Sequence, residues 1–276
     1  MKKIVAGSSS PMLAKNLANK LKIKIANVSI KRFPDGECYV KINDDVEHAI
    51  IVQNTYPDEN IIELFLLQDA LKRIANRIDV IIPYYGYGRQ DKIFEKGEAI
   101  SAEKMAKLIE QDADRIFLIN PHKEHIKNFF DKNVEICDAV PVIAKYFKGK
   151  VDVVIAPDKG ALEMAKKAAK IMECDYNYFE KKRISSNEVI MEVKDIGAIG
   201  KRILIIDDII STGGTMIKAI ESLKGNEIYV ACIHGLFIGN ADERILKAGC
   251  KEIIATDTIE SAYSKVSVAE EVAKFL

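Results

Sequence analysis

The chain has 276 residues, 48% of them apolar and 30% charged, with 41 basic and 41 acidic side chains that leave no net charge. That length and apolar content fill two modest cores, and the balanced charge excludes a global attraction to nucleic acid or an anionic membrane, so any recognition of phosphate must be local. The longest apolar runs are strand-sized, and Gly7 and three serines interrupt the opening stretch; this predicts neither a membrane span nor a signal peptide, and hence a cytoplasmic protein.

In chain order, residues 3–6 predict a short strand, 7–11 a loop of small residues, and Leu13, Leu17 and Leu21 one face of a helix. Phe33, Pro34, Asp35, Gly36 and Glu37 have turn chemistry and precede residues 38–42, where Tyr39 and Val40 favour a strand. Residues 49–52 predict the next strand, and Ile62, Phe65, Leu66 and Ala70 mark a helix over 61–74. The strand at 80–83 opens into Tyr84, Tyr85, Gly86, Tyr87, Gly88, Arg89, Gln90 and Asp91, expected to be an exposed loop carrying stacking rings and a cation. Ser101 is expected to cap a helix running to about residue 109. Residues 115–119 predict a strand, followed by Asn120, Pro121, His122 and, one helical turn on, His125.

A second half starts near residue 151, giving expected domains of 1–141 and 142–276. Residues 152–156 predict a strand, Pro157, Asp158, Lys159 and Gly160 its loop, and 162–172 a helix, repeating the opening of the chain. Strand, loop, helix and strand over 80–119 recur over 203–233, which points to two tandem units of one parallel α/β fold. Residues 180–183, with Lys181, Lys182 and Arg183, and 185–188 form a polar, basic segment between the halves of the second domain. Residues 264–275 predict an amphipathic helix. Five cysteines, odd in number, far apart and without a CxxC pair, fit reduced thiols rather than disulfides or a zinc site.

The stretch with the most chemistry is RILIIDDIISTGGTMIKA, beginning at Arg202. Four apolar residues run into Asp207 and Asp208, then into Ser211, Thr212, Gly213, Gly214 and Thr215 ahead of a helical pattern. Glycines let backbone fold tightly around a ligand, and the first N–H groups of the following helix suit a phosphate. The two carboxylates would repel that phosphate, so their partners are a sugar diol or a metal ion. No GK[ST] follows the glycines and no GxGxxG is present, which excludes the common nucleotide fingerprints.

This stretch resembles the signature of the type I phosphoribosyltransferases. Together with FPDGE from Phe33, GYGRQD from Gly86, PH from Pro121 and PDKG from Pro157, it makes nearly the whole chain similar to the ribose-phosphate pyrophosphokinases. The resemblance implies two phosphoribosyltransferase-like α/β domains, each a mostly parallel sheet flanked by helices, of which only the second keeps the ribose-phosphate loop. It implies transfer of the diphosphoryl group of ATP to ribose 5-phosphate, with Mg2+, to give phosphoribosyl pyrophosphate and AMP for nucleotide, histidine and tryptophan biosynthesis. It puts the sugar phosphate on Ser211, Thr212, Gly213, Gly214 and Thr215, and the ribose hydroxyls on Asp207 and Asp208. ATP falls to Phe33, Asp35, Gly36 and Glu37 of a neighbouring subunit in a homo-oligomer, facing Arg89, Gln90 and Asp91. His122 and Asp158 would hold the metal, and Lys181 and Arg183 would be catalytic, Arg183 also near the sugar. Many relatives have an acid where Ser211 stands and a small residue where Lys159 stands. The alternatives are a phosphoribosyltransferase, which would not need the ATP segments, and a non-catalytic regulatory subunit, which would not need Lys181, Arg183, Arg89 and both carboxylates. His48, His125 and His234 receive no role.

Overall fold

The computed structural model describes residues 1–183, 189–193 and 199–276, with side chains over 1–180 and 199–276. The chain divides into two compact units, Met1–Asp138 with Asp257–Glu260 and Ser267–Leu276, and Ala139–Thr256 with Ser261–Val266. The first unit runs β1 (Lys2–Ala6), α1 (Pro11–Leu21), β2 (Lys24–Ile25), β3 (Val28–Arg32), β4 (Cys38–Ile42), β5 (His48–Val52), α2 (Asp58–Lys72), β6 (Arg77–Ile82), α3 (Ser101–Ile109), β7 (Arg115–Ile119) and β8 (Asn133–Cys137). Its six-stranded parallel sheet has the order β2-β1-β5-β6-β7-β8, and β3 and β4 form a separate antiparallel hairpin.

The second unit runs α4 (Val140–Phe147), β9 (Val153–Ala156), α5 (Leu162–Met172), β10 (Asp175–Arg183), β11 (Val189–Val193), β12 (Arg202–Ile210), α6 (Gly214–Ser222), β13 (Glu227–Gly235), α7 (Ala241–Lys247), β14 (Cys250–Thr256) and β15 (Ser264–Val266). Its sheet order is β11-β10-β9-β12-β13-β14-β15, parallel except for the β10–β11 pair. Both central sheets are covered on two faces, which is why β5, β9 and β12 read as unbroken apolar runs rather than alternating ones.

Lining up the two sheet orders corrects one expectation. β1 and β9 hold the same place, and the strand beside them is β5 in the first unit and β12 in the second. The counterpart of the ribose-phosphate segment is therefore the end of β5, not the strand at 80–83. In this topology ligands gather beyond the carboxyl ends of the strands, where the strand order reverses. In the second unit that point lies between β9 and β12, below Asp158 and Asp207.

Four further local expectations change. β12 continues through Asp207 and Asp208 to Ile210, because Asp207 pairs with Cys232 and, past Asp208, Ile209 and Ile210 pair with His234 and Gly235 of β13. Residues 264–275 are not one helix: β15 pairs with β14, and a short α8 (Ala269–Ala273) belongs to the first unit. α3 begins at Ser101, with Ile100 at the cap position and no side-chain cap bond. Tyr84 and Tyr85 are buried, since the Tyr85 hydroxyl donates to the Ala102 carbonyl at 2.7 Å, leaving only Tyr87 of the three rings exposed. No described helix is long and apolar enough to cross a membrane, and all five cysteines are free.

The opposite end of the first sheet is stapled by charge. Asp79 is fully buried and accepts from Arg115 Nη2 at 3.1 Å, Arg77 Nε at 3.1 Å and His48 Nε2 at 2.9 Å. Burial alone would raise this carboxyl, but the bonds from Arg115, His48 and Arg77 together hold it below its ordinary range. Its stabilising contribution is thus present above the ordinary carboxylate pKa and lost as pH falls through the lowered folded value. Asp79→Ala leaves cations without their buried partner and should cost about 3–5 kcal/mol in denaturant unfolding at neutral pH, with the deficit shrinking in acid. A variant as stable as wild type at neutral pH would contradict this account.

Candidate active site

The second unit presents an anion cradle at the end of β12. Gly213 takes φ 74° at the N-terminus of α6, and a Cβ there would stand 3.2 Å from both Ala241 Cβ and Ile245 Cδ1 of α7, so the position requires glycine twice over. Beyond the turn, Gly214 faces open space. None of the N–H groups of Thr212, Gly213, Gly214 and Thr215 meets an acceptor among the described residues, nor do the hydroxyls of Ser211, Thr212 and Thr215 find a partner. Consecutive unpaired donors on a glycine turn, at the positive end of a helix, are suited to a phosphate.

Next to this cradle stands a concentration of negative charge. Asp207 Oδ1 accepts from the Asp208 N–H at 2.9 Å, and Asp208 Oδ1 accepts from the Ile209 N–H at 2.8 Å. Burial and then the charge of Asp208 push the Asp207 carboxyl well above the ordinary carboxylate range, and Asp158 at the end of β9 adds to the effect. The Asp158 carboxylate also accepts from the Gly160 N–H at 2.8 Å, closing the PDKG turn. Three neighbouring carboxylates supply oxygen donors of the kind Mg2+ prefers. Among the described residues, however, no group of three His, Cys, Asp or Glu forms a ready-made metal site.

Lys181 and Arg183 lie on the last residues of β10, where the strand leaves β9 and pairs with β11, Lys181 opposite Met191 and Arg183 opposite Val189. Their side chains, and the expected polar segment at 185–188, lie outside the described residues. His122 follows β7 in the first unit and is half-buried.

In the first unit FPDGE is the tip of the β3–β4 hairpin. Phe33 N–H donates to Glu37 O at 2.9 Å and Gly36 N–H to Phe33 O at 2.9 Å, and Glu37 N–H donates to Asp35 Oδ1 at 3.1 Å. The tip is exposed throughout, with Phe33 51% accessible and meeting only the edge of Tyr39. Arg89 is exposed and without a hydrogen-bond or ion-pair partner among the described residues, while Asp91 pairs with His125 Nε2 at 3.0 Å. No such bond links the hairpin tip to Arg89, Gln90 or Asp91 among the described residues. His125 had no assigned role because its partner is 34 positions away in the sequence; only the fold brings Asp91 to it.

The counterpart loop after β5 is filled by its own side chains. Glu63, almost fully buried, accepts from Ser8 N–H and Ser8 Oγ, each at 2.7 Å, and from Gln53 Nε2 at 2.9 Å. Pro57 at the cap of α2 has no N–H to offer, and Asp58 and Glu59 occupy the helix's first turn. An internal carboxylate and two acids thus replace an external anion.

A two-unit parallel α/β fold with one such cradle defines a protein of the type I phosphoribosyltransferase fold. Residues 2–112 match the N-terminal domain of ribose phosphate pyrophosphokinase, and residues 139–270 match the phosphoribosyl transferase domain. The chain is 39% identical over 275 residues to ribose-phosphate pyrophosphokinase 2 of Archaeoglobus fulgidus, covering 99% of each chain. It is 43% identical over 273 residues to ribose-phosphate pyrophosphokinase of Pyrococcus furiosus, covering 95% of this chain and 98% of that one. The crystal structure of phosphoribosylpyrophosphate synthetase from Mycobacterium smegmatis superimposes with a TM-score of 0.86 at 28% identity, covering 99% of this chain and 97% of that one. The chain belongs to the ribose-phosphate pyrophosphokinase family.

The raised Asp207 carboxyl has a consequence for stability. Its proton is held in the folded chain where the unfolded chain has already released it, so the cost is absent below the ordinary carboxylate pKa of ~3.9 and grows as pH rises through and beyond it. Asp207→Asn removes the cost. Its ligand-free melting temperature should exceed that of wild type at alkaline pH and match it in acid; a variant that melts lower than wild type at alkaline pH would contradict the electrostatic reading.

Proposed function

We propose that this protein transfers the diphosphoryl group of ATP to the anomeric hydroxyl of ribose 5-phosphate, giving phosphoribosyl pyrophosphate and AMP for nucleotide biosynthesis in the cytoplasm. The observation that carries the reading is the pairing of open donors at Thr212 to Thr215 with the carboxylates of Asp207 and Asp208 on one strand end. A ligand that answers both has a phosphate at one end and hydroxyls beside it. In this reading Ser211, Thr212, Gly213, Gly214 and Thr215 hold the 5-phosphate, and Asp207 and Asp208 accept from the ribose hydroxyls and orient the sugar.

ATP lies against Arg89, Gln90 and Asp91, with Phe33, Asp35, Gly36 and Glu37 supplied by a second copy of the chain. The exposed ring of Phe33 and the unpaired guanidinium of Arg89 suit an adenine face and a polyphosphate. His122 and Asp158 are the residues that would hold magnesium, which when bound supplies positive charge to the polyphosphate. Lys181 and Arg183 add charge where phosphoryl oxygens become more negative, since such transfers depend mostly on positioning and cations.

Incubation with ATP, Mg2+ and ribose 5-phosphate should release AMP and form phosphoribosyl pyrophosphate, and ribose in place of the sugar phosphate should not support it. Release of ADP, or no turnover, would contradict the assignment. Lys181→Ala should lower kcat roughly a hundredfold to a thousandfold with little change in substrate affinity, as expected for a donor that acts mainly at the barrier. Lys182→Ala is the control and should remain near wild type. Equal losses in both would make this a general charge effect.

A further inference from the structure

The loop that receives the phosphate is shaped from behind. Arg244 on α7 is exposed, and its Nη2 donates to the Thr212 carbonyl at 2.6 Å, a short charge-assisted bond. One residue earlier, the Ser211 carbonyl accepts from the Ile238 N–H at 3.0 Å. Both peptides are trans, and in a planar trans peptide the N–H points away from the C=O. Drawing the Ser211 and Thr212 carbonyls outward therefore turns the N–H groups of Thr212 and Gly213 to the opposite side. Those are two of the four donors without an acceptor, and Gly213 is itself buried.

The same side of the loop is closed by packing. The space a Gly213 side chain would need is taken by Ala241 and Ile245, which flank Arg244 on α7. Glycine at φ 74° is the residue whose peptide rotates most easily, so packing alone does not fix the Thr212–Gly213 peptide. The charged bond from Arg244 supplies the missing constraint.

We propose that Arg244 is a positioning residue for ribose 5-phosphate: by holding the Thr212 carbonyl it aims the Gly213 N–H at the 5-phosphate, which the guanidinium itself does not touch. This rests on the assignment of the 5-phosphate to the loop at 211–215. A donor that must be reoriented in each binding event weakens the bound state, whereas the diphosphoryl transfer occurs elsewhere on the sugar. The effect belongs to sugar-phosphate affinity rather than turnover.

The test is steady-state kinetics on the full-length protein with each substrate varied, with melting curves to verify folding. Arg244→Ala should raise the KM for ribose 5-phosphate about tenfold, with kcat and the KM for ATP changed less than about twofold. Arg244→Lys, which keeps a cationic donor, should recover most of the loss, and Lys247→Ala on the exposed face of the same helix should behave as wild type. Thr215→Ala is measured alongside because the loop assignment requires it to weaken the sugar phosphate. If Thr215→Ala weakens ribose 5-phosphate while Arg244→Ala does not, the positioning role is overturned and the loop assignment stands. If neither has an effect, the loop assignment fails and the positioning role with it. Equal rises in both KM values that Arg244→Lys does not recover would reduce Arg244 to a packing residue and also overturn the proposal.

Discussion

Backbone donors that the fold itself leaves unanswered are the constraint on which the second unit is built. A strand buried on both faces must deliver its chain to a helix, and after Ile210 it does so through a glycine turn whose N–H groups cannot be satisfied by the ladder or by the helix. Asp208 and Asp158 raise the neighbouring Asp207 carboxyl, so the ligand-free site holds donors that meet no acceptor among the described residues beside a carboxyl lifted above its ordinary range. Under the proposed function, the phosphorylated sugar is what relieves both. The site is thus less stable than its surroundings by construction, and the burial of β9, β12 and β13 around it supplies the rigidity that keeps it in place.

The first unit reveals what the same topology looks like once that constraint is removed. Gln53, Glu63 and Ser8 satisfy one another at the end of β1 and β5, and a proline with two acids takes the helix terminus. The unit's exposed edges are the β3–β4 hairpin tip, with Phe33, and the loop after β6, where Arg89 has no partner among the described residues. The Asp79 cluster lies at the far end of that sheet, so the charge network that stabilises it does not compete with the ligand loops. Of two copies of one fold, one keeps an open donor turn and the other fills that turn with its own side chains and exposes Phe33 and Arg89 elsewhere.

Much of this was legible along the chain because its signals are local. Four apolar residues and a glycine turn read correctly as a strand and the start of a helix, although the strand runs on through the two acids to Ile210, and β4, β7 and α5 were bounded correctly from their flanking residues. What failed depended on partners distant in sequence. Ser264, Lys265 and Val266 satisfy a helical pattern but pair with β14. Tyr84 and Tyr85 resemble an exposed aromatic loop until α3 offers the Ala102 carbonyl. The repeat was read one strand out of step because strand, loop, helix and strand follow in the same order over 80–119 as around the cradle, and only the order of strands in the sheet separates them. Arg244, His125 and Glu63 carried no motif at all, since each acts on a residue that only the fold brings near.

The amides of the turn after β12 can be observed directly. Backbone 1H–15N spectra recorded during a titration with ribose 5-phosphate, and in parallel with ribose, report on each amide separately. The account predicts large downfield proton shifts at Thr212, Gly213, Gly214 and Thr215 with the sugar phosphate and little change with ribose. Unmoved amides at these four positions under saturating ribose 5-phosphate, with shifts elsewhere, would contradict it.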